Sequence, residues 1–185
     1  MTKTTKIVLC GKLRSGKSLA AAYLTLFYGA QPYAFADEMK DSFHRAFPNI
    51  MRNPKPRAFY VKFGEWACEV FGDNVWVDKV LRKIEAANHS VVLISDMRKA
   101  PEYTKMQAEG YTIIKITADD SLRIQRAKEA GDDFTKADLT DRTETFIDNI
   151  APHYTVANNS DTDSFYDSLD AIMAELGVEK AVRGE

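Results

Sequence analysis

Gly11, Gly16, Lys17 and Ser18 stand in the order Gly-x-x-x-x-Gly-Lys-Ser, a spacing suited to holding a chain of phosphates. The two glycines let the backbone turn tightly and bring its N–H groups up to phosphate oxygens. Lys17 has the reach for the β and γ phosphates, and the Ser18 hydroxyl suits Mg²⁺. With Arg14 and Ser15 between the glycines, the stretch Gly11, Arg14, Ser15, Gly16, Lys17, Ser18 is the expected ATP-binding loop. Its flanks make the pattern more than a string match. The apolar run Lys6-Ile7-Val8-Leu9-Cys10 precedes it at strand length, and Leu19-Ala20-Ala21-Ala22-Tyr23-Leu24 follows as a helix. A strand, a glycine loop and a helix in that order aim the positive end of a helix dipole at the bound anion.

A second group with catalytic chemistry is Asp96 with Arg98. The run Val91-Val92-Leu93-Ile94 is apolar without alternation, as in a parallel strand buried on both faces, and Asp96 stands at its carboxyl end. There it is expected, with Ser18, to serve the Mg²⁺. Arg98 is two residues on and on the same side of an extended chain, aimed at the same pocket, where it would neutralise charge during phosphoryl transfer. A plain local ion pair is the alternative. Arg123 and Arg126, spaced i, i+3, share one face of the helix expected over 120–130. They either form a solvated face or, beside the loop Gly131-Asp132-Asp133-Phe134, serve a lid as cations reaching the transferred phosphate.

These groups need elements to hold them. Gly29 and Pro32 end the first helix, and Tyr33-Ala34-Phe35-Ala36 reads as a short second strand with Asp37 at its carboxyl end. Asp37 then either caps a helix over 38–46 or acts as a carboxylate at the mouth of the site, orienting or deprotonating an acceptor. A proline-rich loop over 47–56 leads into apolar residues at helical intervals up to about residue 87. That region is either a helical cover for one sheet edge or an acceptor-binding insertion. Trp76 and Phe63 in it read as core, while Arg57 after the loop is suited to clamping a phosphate. Residues 111–116 form a fourth strand, and 154–157 a fifth that runs into Asn158-Asn159-Ser160. Those amides either read a base edge or make a turn. A helix over 163–176 closes the domain, with a frayed tail from Val178.

Totals narrow the classes. A chain of 185 residues, 45% apolar and 28% charged, suits one soluble domain. A net charge of −2 offers no field for duplex DNA. Cys10 and Cys68 lie in apolar surroundings and read as core residues of a reducing compartment. The first residues carry no apolar signal core and no run has membrane-span length, so the expectation is a cytoplasmic protein without membrane or nucleic-acid partners.

Several stretches together resemble the deoxynucleoside monophosphate kinases of the bacteriophage-type family, which is similar to dephospho-coenzyme A kinases. They are Gly11–Ser18, Phe35-Ala36-Asp37-Glu38-Met39-Lys40, Asp73-Asn74-Val75-Trp76-Val77-Asp78, Ser95-Asp96-Met97-Arg98 with Glu102, and Asn158-Asn159-Ser160. The resemblance implies an α/β protein: a three-layer α/β/α P-loop NTPase fold with a five-stranded parallel sheet. A helical acceptor-binding insertion would span about 38–88 and a lid about 127–144. It implies Mg²⁺-dependent transfer of the ATP γ-phosphate to a deoxynucleoside monophosphate. ATP would be held by Gly16, Lys17 and Ser18, with Arg123 and Asn158 beside them. Asp37, Lys40, Arg57, Trp76, Asp78 and Arg98 would hold the acceptor. Lys17, Arg98, Asp37 and Arg126 would carry catalysis, and Ser18 and Asp96 the metal. The chain departs from the family's pattern at Asp141-Arg142-Thr143-Glu144 and at Glu65 and Glu69, where members tend to have a His-x-Ser-Glu stretch and a basic residue. Other readings are a kinase for another small acceptor, such as dephospho-coenzyme A, or a nucleotide-dependent switch. The Asn-Lys-x-Asp signature that favours a guanine-reading switch is absent from the sequence. A homodimer is left open.

Overall fold

A computed structural model describes residues 4–131 and 142–181. Five parallel strands form one sheet in the order β2-β3-β1-β4-β5. They are β1 (Thr5–Cys10), β2 (Gln31–Tyr33), β3 (Val91–Met97), β4 (Thr112–Thr117) and β5 (Tyr154–Ala157). The helices in chain order are α1 (Lys17–Tyr28), α2 (Phe35–Ala46), α3 (Arg57–Phe71), α4 (Val75–Ala87), α5 (Ala100–Ala108), α6 (Asp120–Glu129), α7 (Arg142–Asp148) and α8 (Thr162–Glu175).

Successive side chains of β1 point to opposite faces, and both faces are apolar, so the strand must lie inside. Ile7 and Leu9 join Leu93, Ile114, Ile116 and Val156 in a core covered by α1 and α8. Val8 and Cys10 join Val92, Ile94 and Ile113 in a second core under α2, α4, α5 and α7. Two helical layers therefore enclose one sheet: the three-layer α/β/α P-loop NTPase fold. Helices α2, α3 and α4 all fall between β2 and β3 in the chain.

Three local expectations are corrected. The second strand is Gln31–Tyr33, and Phe35 and Ala36 already open α2. Pro32 is tolerated because β2 is an edge strand, where a missing N–H breaks no inner ladder. The helix begins early because the Asp96 carboxylate, sixty residues away, accepts hydrogen bonds from the Phe35 and Ala36 N–H groups, both at 2.9 Å. Asp37 is accordingly in the first turn of α2 and is not its cap. The tail from Val178 is also held: the Val178 N–H donates to the Met173 carbonyl at 2.9 Å and the Ala181 N–H to the Phe27 carbonyl at 2.7 Å. Lys180 completes the attachment by pairing with Asp170 at 2.5 Å and lying over the Tyr23 and Phe27 rings. The expected lid over 127–144 falls largely on 132–141, outside the described residues.

Candidate active site

The glycine loop bridges the carboxyl end of β1 to the first turn of α1, where an open parallel sheet places its ligands. Neighbours pack against it so closely that its two glycines are required. A Cβ on Gly11 would come within 2.3 Å of the Ile116 carbonyl oxygen of β4, and one on Gly16 within 2.1 Å of the Asn158 amide nitrogen. Gly16 also adopts φ +107°, a conformation that L side chains rarely take. Lys17 is buried, and its ammonium donates to the Gly11 and Lys12 carbonyls at 2.6 and 2.8 Å, folded back over the loop.

Helix α6 holds the loop from the side. The Arg123 Nε donates to the Leu13 carbonyl at 2.8 Å, and Arg126 donates to the Arg14 carbonyl at 3.5 Å. Their i, i+3 spacing explains why both reach successive loop carbonyls. Arg123 is 3% exposed and pairs with Asp120 at 2.8 Å, so it braces the loop from behind. Asn158 is likewise engaged. Its Nδ2 donates to the Ser15 carbonyl at 3.0 Å, and its Oδ1 accepts from Arg126 at 3.3 Å. The amide therefore secures the loop. Asn159 exchanges hydrogen bonds with Asp119 at the start of α6, at 2.8 Å each way. The Ser15 hydroxyl is buried without a hydrogen-bond partner among the described residues and faces a small cavity beneath the loop, beside Lys12 and Asp148.

Two cavities meet at this edge. The first, of about 710 Å³, is lined by Arg14, Gly16, Lys17, Ser18, Arg126 and Asn158 together with Arg98. The second, of about 560 Å³, lies among α2, α3, α4 and the end of β3; Phe35, Tyr60, Glu65, Trp76, Asp96 and Glu102 line it, again together with Arg98. The expected acceptor set divides here. Trp76 and Arg98 line the second cavity, whereas Asp37, Lys40, Arg57 and Asp78 line neither. Asp37 and Lys40 pair with each other at 2.6 Å. Asp78 pairs with Lys105 at 3.5 Å, and Arg57 is exposed at the start of α3.

Two half-buried carboxylates frame Arg98. Burial pushes Asp96 above its usual range, opposed by the hydrogen bonds from Ala36 and Phe35. Burial likewise raises Glu102, opposed by the Arg98 and Lys99 N–H groups, which donate to it at 2.7 and 3.0 Å. Glu102 thus fixes the backbone from which the Arg98 side chain departs. Its legible signal is a glutamate in the first turn of a helix, the reciprocal half of a capping box. Of the two residues expected to serve a metal, Ser18 is exposed and lines the first cavity, whereas Asp96 lines the second, each of its oxygens accepting one N–H group of α2. Burial pushes the Cys10 thiol up to about 11, partly opposed by Lys115 and Lys17, which leaves it inert. No described helix is long and apolar enough to cross a membrane.

No protein-family model matches the chain and no curated protein matches it. Solved structures do resemble it. A shikimate kinase from Acinetobacter baumannii, in complex with shikimate, shares 14% identity at a TM-score of 0.55, covering 95% of each chain. A sugar kinase from Janibacter sp. shares 12% identity at 0.56, covering 95% of this chain and 96% of that one. The tunicamycin resistance protein of Deinococcus radiodurans shares 12% at 0.54, covering 98% and 100%. At such identities the likeness establishes the fold.

Proposed function

We propose that this chain is an ATP-dependent kinase that transfers the γ-phosphate to a deoxynucleoside monophosphate. The observation that carries the reading is Arg98, the side chain that lines both the phosphate-loop cavity and the neighbouring cavity. One guanidinium at the junction of two ligand-sized spaces is placed to neutralise charge on a group passing between them.

In this reading ATP lies in the first cavity with its phosphates on the loop N–H groups and the amino end of α1. Lys17 exchanges its loop carbonyls for phosphate oxygens, and Arg126 approaches from α6. Mg²⁺ would be held by Ser18 and supplies charge neutralisation to the β and γ phosphates. The acceptor occupies the second cavity with its phosphate toward Arg98 and Lys99. An oxygen of that phosphate bonds to the γ-phosphorus as the β–γ bridging P–O bond breaks, leaving ADP. The acceptor is already ionised at neutral pH, so the step requires no general base. Asp37, exposed and paired with Lys40, has no part in it. Asp96 and Glu102 serve as positioning residues, one for the start of α2 and the other for Arg98.

A second reading takes a sugar-like or other polyol acceptor, favoured by the shikimate kinase and sugar kinase among the similar folds. Release of ADP from Mg-ATP, measured with each deoxynucleoside and ribonucleoside monophosphate and with shikimate, simple sugars and dephospho-coenzyme A, separates the two. Stimulation by deoxynucleoside monophosphates is the expected result. Stimulation by a polyol alone would overturn the proposed acceptor.

A further inference from the structure

The second cavity is chemically lopsided. Arg98 and Lys99, at the end of β3, put two cations on one wall, while the wall made by α3 presents Tyr60, Val61, Gly64 and Glu65. Between them lie the flat or apolar side chains of Phe35, Met39 and Trp76. The Trp76 indole N–H donates to the Gly64 carbonyl at 3.3 Å, which fixes the ring next to residue 65. Tyr60 is anchored from the opposite side, its hydroxyl 2.7 Å from the His44 Nε2.

Three carboxylates line this space, and two of them already accept backbone N–H groups. Both oxygens of Asp96 accept N–H groups of α2, and Glu102 accepts those of Arg98 and Lys99. Glu65 has neither a hydrogen-bond nor an ion-pair partner among the described residues. A ligand that satisfies this cavity is therefore anionic at one end, flat and apolar in its middle, and rich in hydrogen-bond donors at the other end.

We infer that Glu65 reads the base of the acceptor and selects guanine; this rests on the nucleoside monophosphate reading above. An ionised carboxylate only accepts hydrogen bonds, through two oxygens side by side. Guanine offers two donors side by side, N1–H and the N2 amino group, which match that fork. Adenine and cytosine each set one amino donor beside a ring-nitrogen acceptor. Thymine sets one N–H between two carbonyls, which repel the carboxylate. Stacking against Trp76 holds any base, but only the fork discriminates among them.

The test combines turnover and binding. The kcat/KM for dGMP, dAMP, dCMP and dTMP is measured for the unaltered chain and for Glu65→Gln. The fluorescence of Trp76 is titrated with the same four nucleotides in a Trp66→Phe background, where Trp76 is the remaining tryptophan of two. The expected result is a preference for dGMP. Glu65→Gln should lower the dGMP to dTMP ratio by roughly tenfold or more, the discrimination of one bidentate contact, with the KM for ATP unchanged. A ratio unmoved by Glu65→Gln, or a preference for dTMP, overturns the role of Glu65 while leaving the kinase reading standing. Quenching of Trp76 by dGMP that depends on Glu65, without turnover of any monophosphate, supports the recognition and overturns the transfer. Neither turnover nor quenching overturns both.

Discussion

At the scale of single residues, the site consists of a loop that tolerates no side chain at two positions and one arginine shared by two cavities. Gly16→Ala should remove ATP binding, because the new Cβ meets the Asn158 amide at 2.1 Å and the backbone is at φ +107°. Isothermal titration with ATP checks this. Adding Asn158→Ala should not restore binding, since it relieves the clash and leaves the dihedral strain. Arg98→Ala should lower kcat by about 100-fold or more while changing the KM for ATP little, as expected for a group acting on the transferred charge. A loss confined to the KM for ATP would contradict that role. Lys17→Ala should abolish turnover in a chain that still folds, read by circular dichroism beside the ADP assay, because the ammonium satisfies two loop carbonyls but fills no core volume.

The elements are tied to one another by side chains distant in sequence, and their stability is testable at that level. The amino end of α2 depends on Asp96 of β3. Replacing it by Ala strands two N–H groups and should cost about 1–3 kcal/mol, measured by urea unfolding. Acceptor-stimulated ADP release should fall as well, since Phe35 and Ala36 line the second cavity. The segment beyond α8 is likewise an attached strap. Truncation after Gly177 removes the Val178 and Ala181 backbone bonds and the Lys180 contacts to α1, and should lower stability by roughly 1–2 kcal/mol. An unchanged urea midpoint would show that the strap contributes nothing.

For the molecule as a whole, carboxylates with raised and with lowered pKa values pull the pH profile in opposite directions. Burial raises Asp96 and Glu102 above ordinary values of 3.8 and 4.5, so the native state holds their protons more tightly than the unfolded chain does. Their favourable contribution is fully present below those values and is lost as pH rises through the raised range. For Asp170, burial acts upward but is outweighed by hydrogen bonds from Lys180, Tyr28 and Tyr23, and the net shift is below 3.8. Its contribution is present above 3.8 and is lost as pH falls through the lowered value. Urea midpoints followed across the acid range should therefore show a steeper rise with pH in Glu102→Gln than in the unaltered chain. They should show a shallower acid loss in Asp170→Asn.

By itself the sequence determined what depends on neighbours in the chain. The strand, loop and helix around Gly11–Ser18, the doubly apolar run of β3 and the bounds of β5 were legible, because their residue types leave few alternatives to a buried parallel sheet. Only the tertiary structure decided which polar groups are left over for a ligand. Asp96 reads as a metal carboxylate, and the structure adds a second task for it: both its oxygens hold the distant start of α2. Arg123 and Asn158 read as ligand contacts, and only the fold shows that both also hold loop carbonyls. Asp37 reads as a site residue until an earlier helix start turns it toward Lys40. Glu65 shows the reverse: in the sequence it stands out only as a departure from the resembled family's pattern, yet the packing of α3 with α2 and α4 sets it at the wall of the cavity. Which protein groups a polar side chain already holds depends largely on residues far away in the sequence, and only the folded chain brings them together.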